Sequence, residues 1–288
     1  MRRLNGIVAA VASVAVAALI AACGGSSSSP AVSTPHHHEA GTRVHTTGTT
    51  TDSSELVTNA RPQPSWTANT GPVPILVYHD LGDAPASEPY PGLYMPYSTF
   101  AQEMAWLHSE GYEAVTLDEV MDAWFHHGTL PSKPIVITFD NGYPPQVTYA
   151  PQVMSQYGWP AVLNEITANH LDNAAIWHVL RLGWEVDSHS VSHPDLRYLT
   201  PAELRYQLVA SREFLRRTFH IPANSFCYPS SKYNDAVIAA VKAAGYTNAT
   251  TEGGTYATSE NPYLLPRFEM TSGLAQLQAD LASHVTGP

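Results

Sequence analysis

From Val73 onward, short apolar runs rich in Val, Ile and Tyr alternate with stretches whose apolar residues recur at helical spacing. The runs predict strands over Pro74–His79, Tyr112–Thr116, Pro134–Asp140, Trp159–Glu165, Trp184–Ser188, Ser225–Tyr228 and Tyr246–Thr250, with a further short one at Arg267–Met270. Thr116-Leu117-Asp118-Glu119 is a capping box, and Leu117, Val120, Met121, Trp124 and Phe125 follow it at helical spacing. Thr200-Pro201-Ala202-Glu203 is a second box with Pro at the first helical position, opening a helix to about Thr218. Tyr233–Gly245 predicts another helix, ended by its glycine. Strands alternating with helices imply right-handed βαβ units and a parallel sheet. Seven or so units in about 215 residues suit one closed or nearly closed barrel rather than two domains, an α/β fold in which the site lies at the C-terminal strand ends.

The chain ahead of Val73 follows different rules. Arg2 and Arg3 precede a run from Ile7 to Ala22 that is apolar except for Ser13. Such a run is short for a membrane-spanning helix, which needs ~20 residues. It ends in Leu19-Ile20-Ala21-Ala22-Cys23, which resembles the lipobox of bacterial lipoproteins. Residues 1–22 are therefore expected to be a signal peptide and Cys23 a lipidated N-terminus, anchoring the protein on the extracytoplasmic face of a bacterial cell envelope. Residues 24–53 hold 19 Gly, Ser, Thr and Pro in 30. That composition predicts a flexible tether, taken here as residues 23–70, ahead of a folded domain at 71–288. His36-His37-His38 falls in the tether and is read as solvated. With Cys23 lipidated, Cys227 has no disulfide partner and is expected to be a small buried apolar residue.

Composition narrows the function. Hydrophobic residues make up 44% of 288, ample for a core. A formal charge of −11 argues against a nucleic-acid partner, which would need a basic face. The 14 histidines matter by position. At the strand ends stand Val77-Tyr78-His79-Asp80, Thr138-Phe139-Asp140-Asn141-Gly142-Tyr143, Asp187-Ser188-His189-Ser190-Val191-Ser192-His193 and Tyr228-Pro229-Ser230-Ser231. His189 and His193 have i,i+4 spacing, which on a helical turn points two imidazoles at one divalent metal; alone, it also fits two surface histidines. Asp140 ends a buried strand ahead of Gly142, a place for catalysis or for helix capping. His79 ends an apolar run as an acid–base group or as a core histidine bonded to a carbonyl. Tyr90, Tyr94, Tyr143 and Trp177 offer faces for stacking on sugars or for core packing.

Thr138–Tyr143 with His189-Ser190-Val191-Ser192-His193-Pro194-Asp195-Leu196 resembles the polysaccharide deacetylases with a NodB-homology domain, carbohydrate esterase family 4. Phe226-Cys227-Tyr228-Pro229 through Tyr233-Asn234-Asp235 resembles the family's third motif, Phe-Ala-Tyr-Pro-Tyr-Gly-x-Tyr-Asn. Val77-Tyr78-His79 and Pro266-Arg267-Phe268 resemble elements of the secreted poly-N-acetylglucosamine deacetylases. The resemblance spans about residues 71–270 and implies a distorted (β/α)7 barrel. It implies Asp140 as general base, His79 as general acid and Arg267 as the residue orienting Asp140. It further implies Asn141, His189 and His193 as ligands of a divalent metal, zinc first and cobalt or nickel next. The backbone N–H of Ser230 would meet the oxyanion and Tyr143 the substrate. The implied activity is hydrolysis of N-acetyl groups from an aminosugar polymer by a monomeric, lipid-anchored protein.

The sequence departs from the pattern in four places. Asn141 replaces the metal-binding Asp; a neutral carbonyl ligand weakens binding and raises Lewis acidity, and Asp80, Glu165 or Asp187 stand as candidate compensating acids. Ser230-Ser231 replaces Tyr-Gly, and Asp187 stands where many relatives have Gly. Asn164-Glu165 falls where relatives have Phe-Phe, making the rim more polar. A catalytically inactive glycan-binding lipoprotein and a polysaccharide O-acetyl esterase are the alternatives.

Overall fold

The computed structural model describes residues 61–283. The predicted leader, Cys23, the His36–His38 run and the tether up to residue 60 lie outside that span. In chain order the elements are β1 (Ile75–Tyr78), β2 (Asp80–Leu81), β3 (Tyr94–Met95), α1 (Tyr97–Ser109), β4 (Glu113–Val115), α2 (Leu117–Phe125), β5 (Pro134–Asp140), α3 (Pro144–Thr148) and α4 (Ala150–Met154). There follow β6 (Val162–Glu165), α5 (Asn173–Arg181), β7 (Glu185–Ser188), α6 (Pro201–Phe219), β8 (Ser225–Cys227), α7 (Asp235–Ala243), β9 (Asn248–Glu252), β10 (Leu265–Glu269) and α8 (Leu274–Ala282). Among the described residues no helix is long and apolar enough to cross a membrane.

Seven parallel strands close into a ring, β1-β10-β9-β8-β7-β6-β5, and β5 returns to β1 with Leu76 beside Ile137 and Tyr78 beside Phe139. This is the expected (β/α)7 barrel. Two strands exchange roles relative to the sequence reading. The run at Tyr112–Thr116 gives β4, which pairs only with the start of β5 and stays outside the ring. The minor candidate at Arg267–Met270 is the ring strand β10, beginning two residues earlier. The runs starting at Trp159 and Trp184 begin as helix exits, the Trp184 N–H donating to Val179 O at 3.1 Å and the Trp159 N–H to Met154 O at 3.1 Å. Their apolar side chains are core residues all the same, which is why they read as strand. Arg61–Thr70, assigned to the tether by composition, holds to the barrel: the Arg61 N–H donates to Glu119 Oε1 at 2.8 Å, and Thr67 bridges Leu130.

Alternation along β5 divides two environments. Ile135, Ile137 and Phe139 pack outward against α1, α4, α5, α6 and α8, with Phe139 stacked on Trp184 at 5.5 Å and 3°. Val136 packs with Ile75, Val162 and Leu265 against Leu117, Val120, Met121 and Trp124 of α2. The Thr116–Glu119 box caps α2, and the Asp118 N–H donates to Glu185 Oε2 at 2.9 Å. Thr138 and Asp140, on the same face of β5 as Val136, are buried above that floor.

One buried acid sits in the outer layer. Glu103 of α1 is fully buried and accepts a hydrogen bond from the Tyr78 hydroxyl at 2.8 Å, while its other oxygen has no partner. Burial pushes its pKa up to about 7, against the opposing effect of that bond. The folded state then holds a proton that the unfolded chain loses near pH 4.5, so this residue makes stability fall as pH rises from about 4.5 to about 7. Glu103→Gln should match the wild-type melting temperature at pH 4.5 and exceed it at pH 8; equal differences at both pH values would refute the assignment.

Candidate active site

The polar residues converge where the sequence placed them, at the C-terminal ends of the ring strands. Asp140 and Arg267 are buried, at 2% and 1% exposure. Arg267 grips Asp140 bidentately, Nη1 donating to Oδ1 and Nη2 to Oδ2, both at 2.8 Å. Nη1 also donates to Thr138 Oγ1 at 3.0 Å, whose hydroxyl donates to Leu76 O at 2.8 Å. Asn164 Nδ2 donates to Asp140 Oδ1 at 2.8 Å, and the Cys227 thiol lies 3.3 Å from Oδ2. Burial alone would raise the Asp140 pKa, but the Arg267 charge and its two hydrogen bonds outweigh it and hold the carboxyl well below the usual range. Burial likewise opposes the Arg267 charge, and Asp140 restores it. Asp140 is thus a carboxylate throughout the physiological range.

His79 and Asp140 each lie one residue beyond the paired Tyr78 and Phe139. Gln146 of α3, fully buried, ties these two strand ends together: its Nε2 donates to His79 O and to Asp140 O, both at 2.7 Å. Sequence reasoning missed Gln146, because its signal is a backbone clamp that no motif records. It also missed Asn164 as a partner of Asp140. Cys227 corrects an expectation: it is buried, but it is no apolar filler, since its sulfur touches both Asp140 and Arg267, the latter at 3.2 Å. Burial pushes its thiol pKa well above normal, so it stays protonated.

His189 and His193 come together with ring centroids 4.6 Å apart, though not on a helical turn. Ser190 and His193 have φ of 69° and 57°, so a strained loop after β7 aims both rings. His189 Nδ1 lies 2.9 Å from Cys227 O. A carbonyl only accepts, so Nδ1 carries the proton and Nε2 is left with a free lone pair. Burial lowers the His189 pKa to about 3 and lowers that of His193, keeping both rings neutral. Asn141 sits at φ 77°, its Nδ2 3.4 Å from the Tyr143 hydroxyl and its buried Oδ1 without a partner.

Two neutral imidazoles and an orphaned buried carbonyl oxygen are a fitting donor set for a divalent metal. Among the described residues, Asp140, His189 and Cys227 also place ligand atoms within 4.8 Å of one another. There the thiol keeps its proton and Arg267 already occupies Asp140, which disfavours a cation between them. None of the three candidate compensating acids shares a hydrogen bond with Asn141. Asp187 accepts from the Ser225 N–H at 3.0 Å, and burial raises its pKa to about 6. Glu165 accepts from the Leu171 N–H at 2.5 Å and packs under Gly142, where a Cβ would stand 2.6 Å from Oε2. Asp80 lies on β2, beside Tyr94 of β3. Ser230 is exposed at φ 51°, and its N–H carries none of the turn bonds that occupy those of Ser231 and Lys232. Trp177 packs against Phe219 in the core, whereas Tyr90 is 69% exposed.

Residues 127–249 match the family model described as polysaccharide deacetylase, which takes in Asp140, both histidines and Cys227 but leaves His79 and Arg267 outside. YxkH of Bacillus subtilis (strain 168), which bears a polysaccharide deacetylase name, is 27% identical over 209 residues, covering 70% of this chain and 73% of the relative. Poly-beta-1,6-N-acetyl-D-glucosamine N-deacetylase of Escherichia coli (strain K12) is 29% identical over 85 residues, 30% of this chain and 12% of that protein. The fold is shared with the Streptococcus pyogenes deacetylase PplD, solved with acetate, at a TM-score of 0.69 and 21% identity, over 76% of this chain and all of that one. The chain is thus similar to polysaccharide deacetylases across residues 127–249 and shares its barrel fold with solved deacetylases.

Proposed function

We propose that this protein removes N-acetyl groups from an aminosugar polymer outside the cytoplasmic membrane, using a divalent metal held by His189, His193 and Asn141. The observation that carries this reading is the donor set itself: the His189 tautomer fixed by Cys227 O, the adjacent neutral His193 ring, and the unpartnered Asn141 Oδ1. The family resemblance to poly-N-acetylglucosamine deacetylases supports the substrate class.

A bound divalent ion of this kind lowers the pKa of water and polarises a carbonyl. The chain's own residues do the rest. Asp140, held as a carboxylate, takes a proton from the attacking water. Arg267 fixes the plane of that carboxylate by its two-bond fork. The Ser230 N–H, at the rim, donates to the oxygen that gains charge in the tetrahedral state. His79, clamped to Asp140 through Gln146, gives a proton to the departing amine, without which nitrogen is a poor leaving group. Tyr143, beside Asn141, offers a ring to the sugar.

Acetate release from N-acetylglucosamine oligomers at saturating Zn²⁺ tests the activity; silence with every oligomer would overturn it. His189→Ala should abolish stoichiometric metal in elemental analysis. Asn141→Asp should tighten metal binding by ~10–100-fold in chelator competition, by restoring a charged ligand. Retained metal in the first variant, or unchanged affinity in the second, would place the site elsewhere.

Arg267→Met should cost about 3–5 kcal/mol of stability, because it strands a buried carboxylate. The double variant Arg267→Met with Asp140→Asn should regain most of the melting temperature and release no acetate. If the two substitutions are simply additive in stability, the pair is not coupled. For the anchor, Cys23→Ser should move the protein from the membrane fraction to the soluble one.

A further inference from the structure

Cys227 touches the base, yet the chemistry above gives it no task. A carboxylate offers two lone pairs on each oxygen. Asp140 Oδ1 accepts from Arg267 Nη1 and Asn164 Nδ2, each at 2.8 Å. Oδ2 accepts from Arg267 Nη2 at 2.8 Å and from the Cys227 thiol at 3.3 Å. All four places are taken, and a general base needs one for the proton it removes. Three of the donors are nitrogens set by a rigid fork and a strand. The fourth is a thiol, a weak donor whose hydrogen turns about a single bond while the sulfur stays in place. A second acceptor stands beside it. Thr250 of β9 is the register partner of Cys227, is fully buried, and its hydroxyl faces the Cys227 sulfur within hydrogen-bonding reach.

We propose that Cys227 is a positioning residue for Asp140: its S–H occupies the Oδ2 lone pair in the resting site and turns to Thr250 Oγ1 when the reacting water takes that place. The inference rests on the reading of Asp140 as base. Before each turnover the thiol competes with water, so its strength as a donor sets the rate without touching substrate.

Three variants carry the test, each with acetate release from N-acetylglucosamine oligomers at saturating Zn²⁺. Cys227→Ala, the residue of the family motif, should raise kcat about threefold at unchanged KM, the scale of one modest hydrogen bond. Cys227→Ser, a stronger donor, should lower kcat below wild type. Thr250→Val should lower kcat when Cys227 is present and leave it unchanged in the Cys227→Ala background. A thiol with a merely structural role would instead give losses in both Cys227 variants, and that result overturns the proposal. A second readout needs no turnover. In a Cys23→Ser chain Cys227 is the sole thiol, and its infrared S–H band should lie at lower frequency than in the same chain carrying Asp140→Asn. Coincident bands overturn the bond itself. Wild-type acetate release by Asp140→Asn overturns the base assignment, and this inference with it, even where the band shifts.

Discussion

The Asp140–Arg267 pair is the interaction on which the site depends. Burying either charge alone would cost several kcal/mol, and burying both is tolerable only where geometry and hydrogen bonding are nearly complete. The barrel supplies that completeness from five strands: Thr138 and Asp140 from β5, Asn164 from β6, Cys227 from β8, Arg267 from β10, and Leu76 O of β1 behind Thr138. Closing the ring through β1 brings β5 and β10 within reach of one another. The pairing of β1 with both strands is therefore a condition for a stable carboxylate as well as for a closed sheet.

A rigid interior also lets the rim carry strain. Among the described residues, eight non-glycine positions have positive φ, and Asn141, Ser190, His193, Ser230 and Ser231 are five of them. Each holds an unfavourable backbone conformation that persists only where surrounding contacts over-determine it. Ser190 Oγ accepts from the His193 N–H at 2.9 Å, Gln207 of α6 accepts from the N–H groups of Val191 and Ser192, and Ser231 Oγ accepts from the Glu252 N–H. Gly142 follows the same logic with the opposite means: φ of 78° and the nearness of Glu165 leave no room for a side chain.

Much of this was legible before any coordinates. Strand–helix alternation gave the barrel, because buried parallel strands are uniform apolar runs that survive as a one-dimensional pattern. Asp140, Asn141, His189 and His193 were legible as strand-end chemistry, and Arg267 only through the resemblance to the deacetylases. What escaped were residues whose roles exist only across strands. Gln146 reads as one polar residue in a short helix until β1 and β5 lie side by side. Cys227 reads as a core thiol until Arg267 arrives from 40 positions later. Arg267–Met270 looked marginal because a charged residue interrupts it, and that charge is the reason the strand is needed. The histidine spacing pointed to two rings that do lie together, but on a strained loop and not a helical turn, since both bring residues four apart together.

The neutral Asn141 follows the same electrostatic logic. Arg267 cancels the charge of Asp140, and His189 and His193 are kept neutral by burial, so the residues around the proposed metal position carry almost no net charge. A site with an additional carboxylate would bind a cation more strongly and dull its Lewis acidity by the same charge. Polar groups also stand behind the proposed ligands: Asn164 and Cys227 on Asp140, Gln146 on the strand ends, and the Cys227 carbonyl on His189. Those groups cannot add charge to an ion, but they fix the orientation of every group that faces it. A weak, well-oriented site with undiminished Lewis acidity is a coherent alternative to a strong one. Its counterpart is a carboxylate, Asp140, whose four lone pairs are all engaged by Arg267, Asn164 and Cys227.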